Sequence, residues 1–307
     1  MAFPLQAEEQ SGIGTADPQV EPPEHTILPR RRRRRLARWP YFSGAILVVF
    51  VICGLFSGLL APYDPEVPDL ANSLQPPWFA GGSRDHILGT DDLGRDVLSR
   101  LIYGARVSLL VSIAVVLIAG FVGVTVAVIA GYKGGRLDAF LMRTADATLA
   151  FPVILLAIVI VGIYGPSTAI VIIVLAVAGW PSYARVLRSE VLRLKSQDFV
   201  TQARTMGGSV RWTILRHILP NIAPTLLVLA SLQVGLAIIA EGALSFIGLG
   251  VPPPAPSWGG MLSQSRNLLQ QAWWLPTFPG LALSLTVLAA NMMGDWLRVH
   301  NDPTTRK

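Results

Sequence analysis

The chain has 307 residues, 52% of them hydrophobic and only 14% charged, with a formal net charge of +6. Soluble domains carry about 25% charged residues, so a surface that faces water throughout is excluded. The single cysteine, Cys53, cannot form an intrachain disulfide and leaves the redox compartment unread.

Residues 1–29 are rich in Pro, Glu, Gln and Gly and poor in large apolar side chains, a composition that cannot order itself by burial. With the arginine run Arg30–Arg35 and Arg38, they predict a disordered basic tail over 1–40. The arginines read either as a nucleic-acid or headgroup patch or as a topological anchor. The anchor is favoured because an apolar span follows at once. That span, Tyr41–Ala61, carries no charge and has about the 20 residues a crossing needs. It is too long for a signal peptide core and has no small-residue cleavage site. Residues 62–105 form a polar outer segment with an amphipathic run, Arg95–Tyr103, expected to be a short ordered cap. Five further spans are predicted at 107–131, 144–163, 167–184, 222–243 and 276–297. Pro152 suggests a kink in the third. The runs do not alternate as barrel strands would, so the fold class is an all-α integral membrane protein with about six transmembrane helices.

Charge sets the orientation. With the N-terminus in the cytoplasm, 20 of the 25 basic residues lie on cytoplasmic segments, and Arg84, Arg95, Arg100, Arg106 and Arg266 lie outside. The positive-inside rule selects this arrangement, with both termini cytoplasmic and a short tail over 298–307. Topology thus accounts for the basic residues, and nucleic-acid binding is not implied.

The largest internal cytoplasmic loop, 185–221, interrupts the apolar pattern with "TQARTMGGSVRWTILRHILPN". Asp198 can cap a short helix beginning at Phe199, and Gly207 and Gly208 can end it. Ser209 can cap a second helix, which Pro220 should stop. Val210, Ile214, Leu215, Ile218 and Leu219 would form its apolar face. The loop therefore reads as a helical hairpin, either lying on lipid headgroups or docking a cytoplasmic partner.

Ala203–Gly207, followed after nine residues by a segment ending in Leu219 and Pro220, resembles the EAA loop of ABC importer permeases. Ala203, Gly207, Leu219 and Pro220 match that pattern. Thr201 stands where the pattern has Glu, Gln202 replaces its first Ala, and His217 replaces its Ile. The stretches His86–Leu109, Glu241–Leu262 and Asn291–Arg298 are similar to the second permease subunit of dipeptide and oligopeptide ABC importers, and the likeness covers roughly residues 36–303. Nickel and glutathione importers share these motifs. The resemblance implies a type I importer fold in a bacterial plasma membrane, with a translocation core over 106–297. It also implies a homologous permease partner, two ATPase subunits on the loop at Thr201, Gln202, Ala203, Arg204, Gly207, Gly208, Leu219 and Pro220, and a solute-binding protein on the outer face.

The sequence contains no G-x-x-x-x-G-K-[ST] loop and no nucleophile elbow, and its four histidines, His25, His86, His217 and His300, are scattered and make no metal pattern. It is therefore read as a non-enzyme without its own cofactor, with ATP and magnesium held by partner ATPases. An ion-gradient carrier would place charges within spans and show inverted repeats, and neither is visible. Ala119, Gly123, Ala127 and Gly131 recur every four residues, a stripe for close packing inside the core. Gly54 and Gly58 form a second small-residue pair, either a chance pattern of a Gly-rich span or a contact for the partner permease. Trp258, Trp273 and Trp274 suit an interfacial belt. Glu241 falls near the outer end of the fifth span by helical rise, as a solvated helix-end carboxylate or as a candidate outer gate.

Overall fold

The computed structural model describes residues 39–301. The expected basic tail up to residue 38 and the last residues, 302–307, lie outside the described residues. Among the described residues there is no strand, only an isolated bridge between Thr90 and Asp96. The helices are α1 Trp39–Leu55, α2 Ser57–Leu60, α3 Val97–Lys133, α4 Gly135–Ala150, α5 Val153–Tyr164 and α6 Thr168–Lys195. They continue as α7 Asp198–Thr205, α8 Val210–Thr213, α9 Leu219–Phe246, α10 Trp258–Gln264 and α11 Trp274–Asn301.

Four helical runs are long and apolar enough to cross a membrane: Val97–Lys133, Thr168–Lys195, Val210–Phe246 and Trp274–His300. The α4–α5 pair supplies a fifth crossing if taken as one broken span, and α1 is a shorter apolar helix. The protein is thus an all-α multi-pass membrane protein.

The third predicted span needs correction. Residues 144–163 are not one kinked helix but parts of two, bent by 84° at Phe151–Pro152. A proline has no N–H to continue the ladder and disfavours the helical region for the residue before it. Phe151 accordingly turns extended, at φ −83° and ψ 123°. The helix before the break is not apolar. Asp138 and Asp146 on α4 pair with Arg188 and Arg185 near the end of α6.

α3 is the axis of the bundle. Its small-residue stripe faces α6, as the spacing predicted. A Cβ on Gly123 would lie 2.4 Å from Tyr183 Cβ and 2.9 Å from the Trp180 carbonyl oxygen. A Cβ on Gly131 would lie 2.8 Å from a Val191 methyl. Ala119 and Ala127 are fully buried in the same seam. The second small-residue pair also packs within the chain. Gly54 faces Leu109 and Gly58 faces the Tyr103 hydroxyl, both on α3, so it is not left for the partner permease.

The segment between α2 and α3 is an ordered cap, as expected, but α3 begins ten residues before the predicted span. Asp96 starts it by accepting from the Ser99 amide at 2.8 Å and the Ser99 hydroxyl at 2.7 Å. Its other oxygen lies 3.0 Å from His86 Nδ1. The arginines of the supposed amphipathic run are buried. Asp91 takes Arg95 Nε at 2.8 Å and lies 3.3 Å from Arg100 Nη1, and both arginines donate to Gln264 Oε1 on α10. Two of the three belt tryptophans are likewise buried pins. Trp258 donates to the Leu101 carbonyl at 2.9 Å and Trp274 to the Thr90 carbonyl at 3.2 Å, while Trp273 remains exposed.

Gly123→Ala places a methyl group against a backbone carbonyl that cannot move aside. It should lower stability by about 1–3 kcal/mol, read as a fall in thermal unfolding midpoint in detergent. Gly162→Ala, where nothing lies within 4 Å, should leave the midpoint unchanged. Equal midpoints for both variants would refute the seam.

Candidate functional site

The hairpin over 198–220 stands at the Lys133 end of α3, and the cap stands at the Val97 end. At about 1.5 Å per residue the 37 residues of α3 separate them by roughly 55 Å. α7 starts one residue earlier than predicted. Asp198 is its first helical residue, and Gln197 precedes it without a side-chain cap. Val200 and Ala203 face inward, while Thr201, Gln202 and Arg204 are exposed.

The turn follows the predicted glycine chemistry. The Gly208 amide donates to the Ala203 carbonyl and the Gly207 amide to that of Arg204, each at 3.0 Å. These two bonds define a Schellman closure. The glycines serve it differently. Gly207 sits at φ +87° in open space, so only backbone strain bars a side chain. Gly208 is held by contact, since its Cβ would lie 2.5 Å from the Ala203 oxygen. Ser209 then caps α8, its hydroxyl accepting from the Trp212 amide at 3.2 Å.

Pro220 does not stop the second helix. Residues Ile214–Ile218 widen into a π turn, closed by the Leu219 amide on the Ile214 carbonyl, and α9 runs on to Phe246. Proline removes one donor and crowds the carbonyl four residues earlier. A wider turn tolerates both without ending the helix. The Asn221 side chain donates to the His217 carbonyl. The His217 ring lies 4.8 Å from that of Trp212 and 6.0 Å from that of Phe199, with Nε2 buried and without a hydrogen bond. The predicted apolar face is only partly internal. Ile218 is fully buried, while Val210 and Leu215 are exposed.

Two residues that the motif does not name dominate the hairpin tip. Met206 is 81% and Trp212 47% exposed. They border a depression of about 430 Å³ with Ala203, Gly207, Gly208 and Ser209. Large apolar groups at a turn, uncovered by the rest of the chain, mark an interaction surface. Their type within a polar loop was the available signal.

Glu241 lies near the end of α9 but is not solvated. It is 0% exposed. The Ser245 hydroxyl donates to it at 2.7 Å and the Ser108 hydroxyl, from α3, at 3.2 Å. The Val251 amide donates in turn to Ser245 Oγ at 3.3 Å. A buried carboxyl group within a span therefore does exist here, which the sequence reading did not see. Ser245, four residues on, was a readable partner; Ser108 was not. Among the described residues no three His, Cys, Asp or Glu side chains are placed to hold a metal ion.

A tightly seamed helix bundle with an ordered cap at one end and an uncovered hairpin at the other is the architecture of a membrane permease subunit. Residues 123–307 match the family described as the binding-protein-dependent transport system inner membrane component. Residues 30–77 match the N-terminal transmembrane domain of oligopeptide transport permease C. The chain belongs to the binding-protein-dependent transport permeases. It is 45% identical to a dipeptide transport system permease protein DppC of Escherichia coli K12, over 88% of this chain and 93% of that protein. It is 42% identical to the di/tripeptide transport system permease protein DppC of Pseudomonas aeruginosa, over 84% and 85%. A dipeptide transport permease of Alkalihalophilus pseudofirmus is 38% identical over 97% and 99%.

Gly207→Val puts a β-branched residue at positive φ and should cost about 1–3 kcal/mol locally. Backbone amides of 198–213 should then exchange faster, whereas Gly207→Asn should stay near wild type. Equal protection in both would contradict the strained turn. Glu241→Ala leaves two buried hydroxyls without their acceptor and should cost about 1–3 kcal/mol, read in the thermal midpoint. Glu241→Gln should cost less, because an amide can bond to both serines.

Proposed function

We propose that this chain is a permease subunit of an ATP-driven peptide importer. It pairs with a homologous permease to enclose the translocation path, with residues 106–297 as its core. Two ATPase subunits hold the ATP and magnesium and bind the hairpin; the chain itself is not an enzyme and has no phosphate-binding loop. An extracytoplasmic solute-binding protein delivers peptide to the cap side. The observation that carries this reading is the hairpin tip, where Met206 and Trp212 stand uncovered on a Schellman turn. The names of the relatives support peptides as the solute, over nickel or glutathione. The excess of basic residues on the hairpin side supports cytoplasmic termini in a bacterial plasma membrane.

In this reading ATP binding draws the ATPases together, each hairpin moves with its ATPase, and the bundle switches its opening between sides. Thr201, Gln202, Arg204, Gly207 and Gly208 belong to the docking face. Pro220, which is exposed, also belongs to that face, and the buried Ala203 and half-buried Leu219 fix the hairpin to the bundle. Glu241 with Ser108 and Ser245 clasps α3 to α9 on the outer side, where a gate would open. An ion-gradient carrier could use such a carboxylate, but it has no use for an uncovered docking hairpin, and family membership favours ATP.

A reporter fused after Lys307 should read as cytoplasmic; an external signal would overturn the topology. The purified subunit alone should hydrolyse no ATP. In the assembled complex Gly207→Val should lose ATPase subunits or hydrolyse ATP without uptake, while Thr201→Ala should have a small effect, because the Glu of the family pattern is already absent there. Wild-type uptake by Gly207→Val with a full ATPase complement would sink the docking role.

A further inference from the structure

α7 of the hairpin reaches α3, a helix to which it is not joined in sequence, at the ring of Tyr132. Tyr132 is the penultimate residue of α3 and is buried, at 7% exposed. Lys195, the last residue of α6, donates its Nζ to the Tyr132 carbonyl at 2.7 Å and lies 5.6 Å from the centre of the Tyr132 ring. Arg204, on α7 of the hairpin, places its guanidinium carbon 5.8 Å from the same centre. One ring therefore receives a cation from the span that leads into the hairpin and another from the hairpin itself.

The phenol oxygen does not explain the residue, because it is buried without a hydrogen-bond partner. A buried hydroxyl of that kind opposes folding, so the useful part of Tyr132 is its π face. Cations within about 6 Å of a ring centre are attracted by its quadrupole. The two cations also repel one another. The ring and the carbonyl offset that repulsion. Remove the ring, and Arg204, which is exposed, is free to leave for water.

We propose that Tyr132 is a positioning residue that yokes the hairpin to α3. The displacement of α7 then reaches the axis of the bundle directly, and not only through the chain links at Ser196–Gln197 and the π turn. α3 is seamed to α6 at Gly123 and Gly131 and capped at its far end by Asp96, so a push at Tyr132 moves a long rigid element whose other end holds the cap. The proposal rests on the reading of the hairpin as the ATPase dock.

The test uses the assembled complex with Cys53→Ser, and spin labels on Thr205→Cys at the exposed end of α7 and Lys133→Cys at the end of α3. Distances are measured without nucleotide and after trapping with ATP and vanadate. With Tyr132 present, one narrow distance should persist in both conditions, because hairpin and helix move together. Tyr132→Phe should give the same result. Tyr132→Leu, which keeps apolar bulk but not the π face, should lose the single distance on trapping. Arg204→Gln should do likewise, and the double variant should be no worse than either single. A narrow, unchanged distance in Tyr132→Leu overturns the proposal, as do additive effects in the double variant. Loss of ATPase subunits from Tyr132→Leu also overturns it, since the ring would then serve docking. Failure of the underlying reading looks different: with Tyr132 and Arg204 intact, the Thr205 label would keep its mobility when ATPase subunits are added.

Discussion

Lipid gives two helices no hydrophobic reason to associate, so contact between them depends on how closely their backbones approach. In this protein that approach is made along α3 and α6. Gly123 brings α3 up to the Trp180 carbonyl, and Gly131 brings it up to the Arg188 carbonyl and Val191. Much else is placed by this seam. It aligns the ends of α3 and α6 so that Lys195 can reach the Tyr132 carbonyl. It sets α6 where Arg185 and Arg188 can take the two aspartates of α4. It fixes the line along which α1 and α9 are laid against the remaining faces of α3.

Polar groups follow a second rule. A buried ionisable group persists only with partners, and each one in the cap and the bundle end beside it has them. Arg95 and Arg100 share Asp91 and Gln264. Glu241 has two serine hydroxyls. The indole groups of Trp258 and Trp274 reach carbonyls of the segment that packs over them. These bonds tie the cap, α10 and the end of α9 to α3, so the cap end of the subunit is built as one block.

What could be read from the sequence was local or periodic. Apolar runs located the four long crossings but not the break after Leu55 in the first predicted span, and the stripe at Ala119–Gly131 located the seam, because these are patterns along one helix. The Gly-Gly turn and the Ser209 cap were readable because their bonds close within a few residues. The third span was misread because averaging over apolar residues hides an amphipathic helix that abuts a short apolar one, and the charges of α4 find partners only on α6. Glu241 and the tryptophans were misread for a related reason. Their environments are made by residues far along the chain, such as Ser108, Leu101 and Thr90, and no spacing announces those. Pro220 shows the limit of a correct rule: proline did disturb the helix, but the helix absorbed it.

That absorption has a geometric consequence. A π turn holds one more residue than the α turn it replaces, and each residue of an α-helix advances the direction of its side chain by about 100°. The part of the helix before Ile214 is therefore rotated by about that angle from where a regular helix would have put it. The facing of Trp212 is thus set separately from the facing of Gly235 and Gly242, which lie against α11. One helix presents two independently phased surfaces, so the tip could vary to suit one neighbour while the buried face stays in register with another.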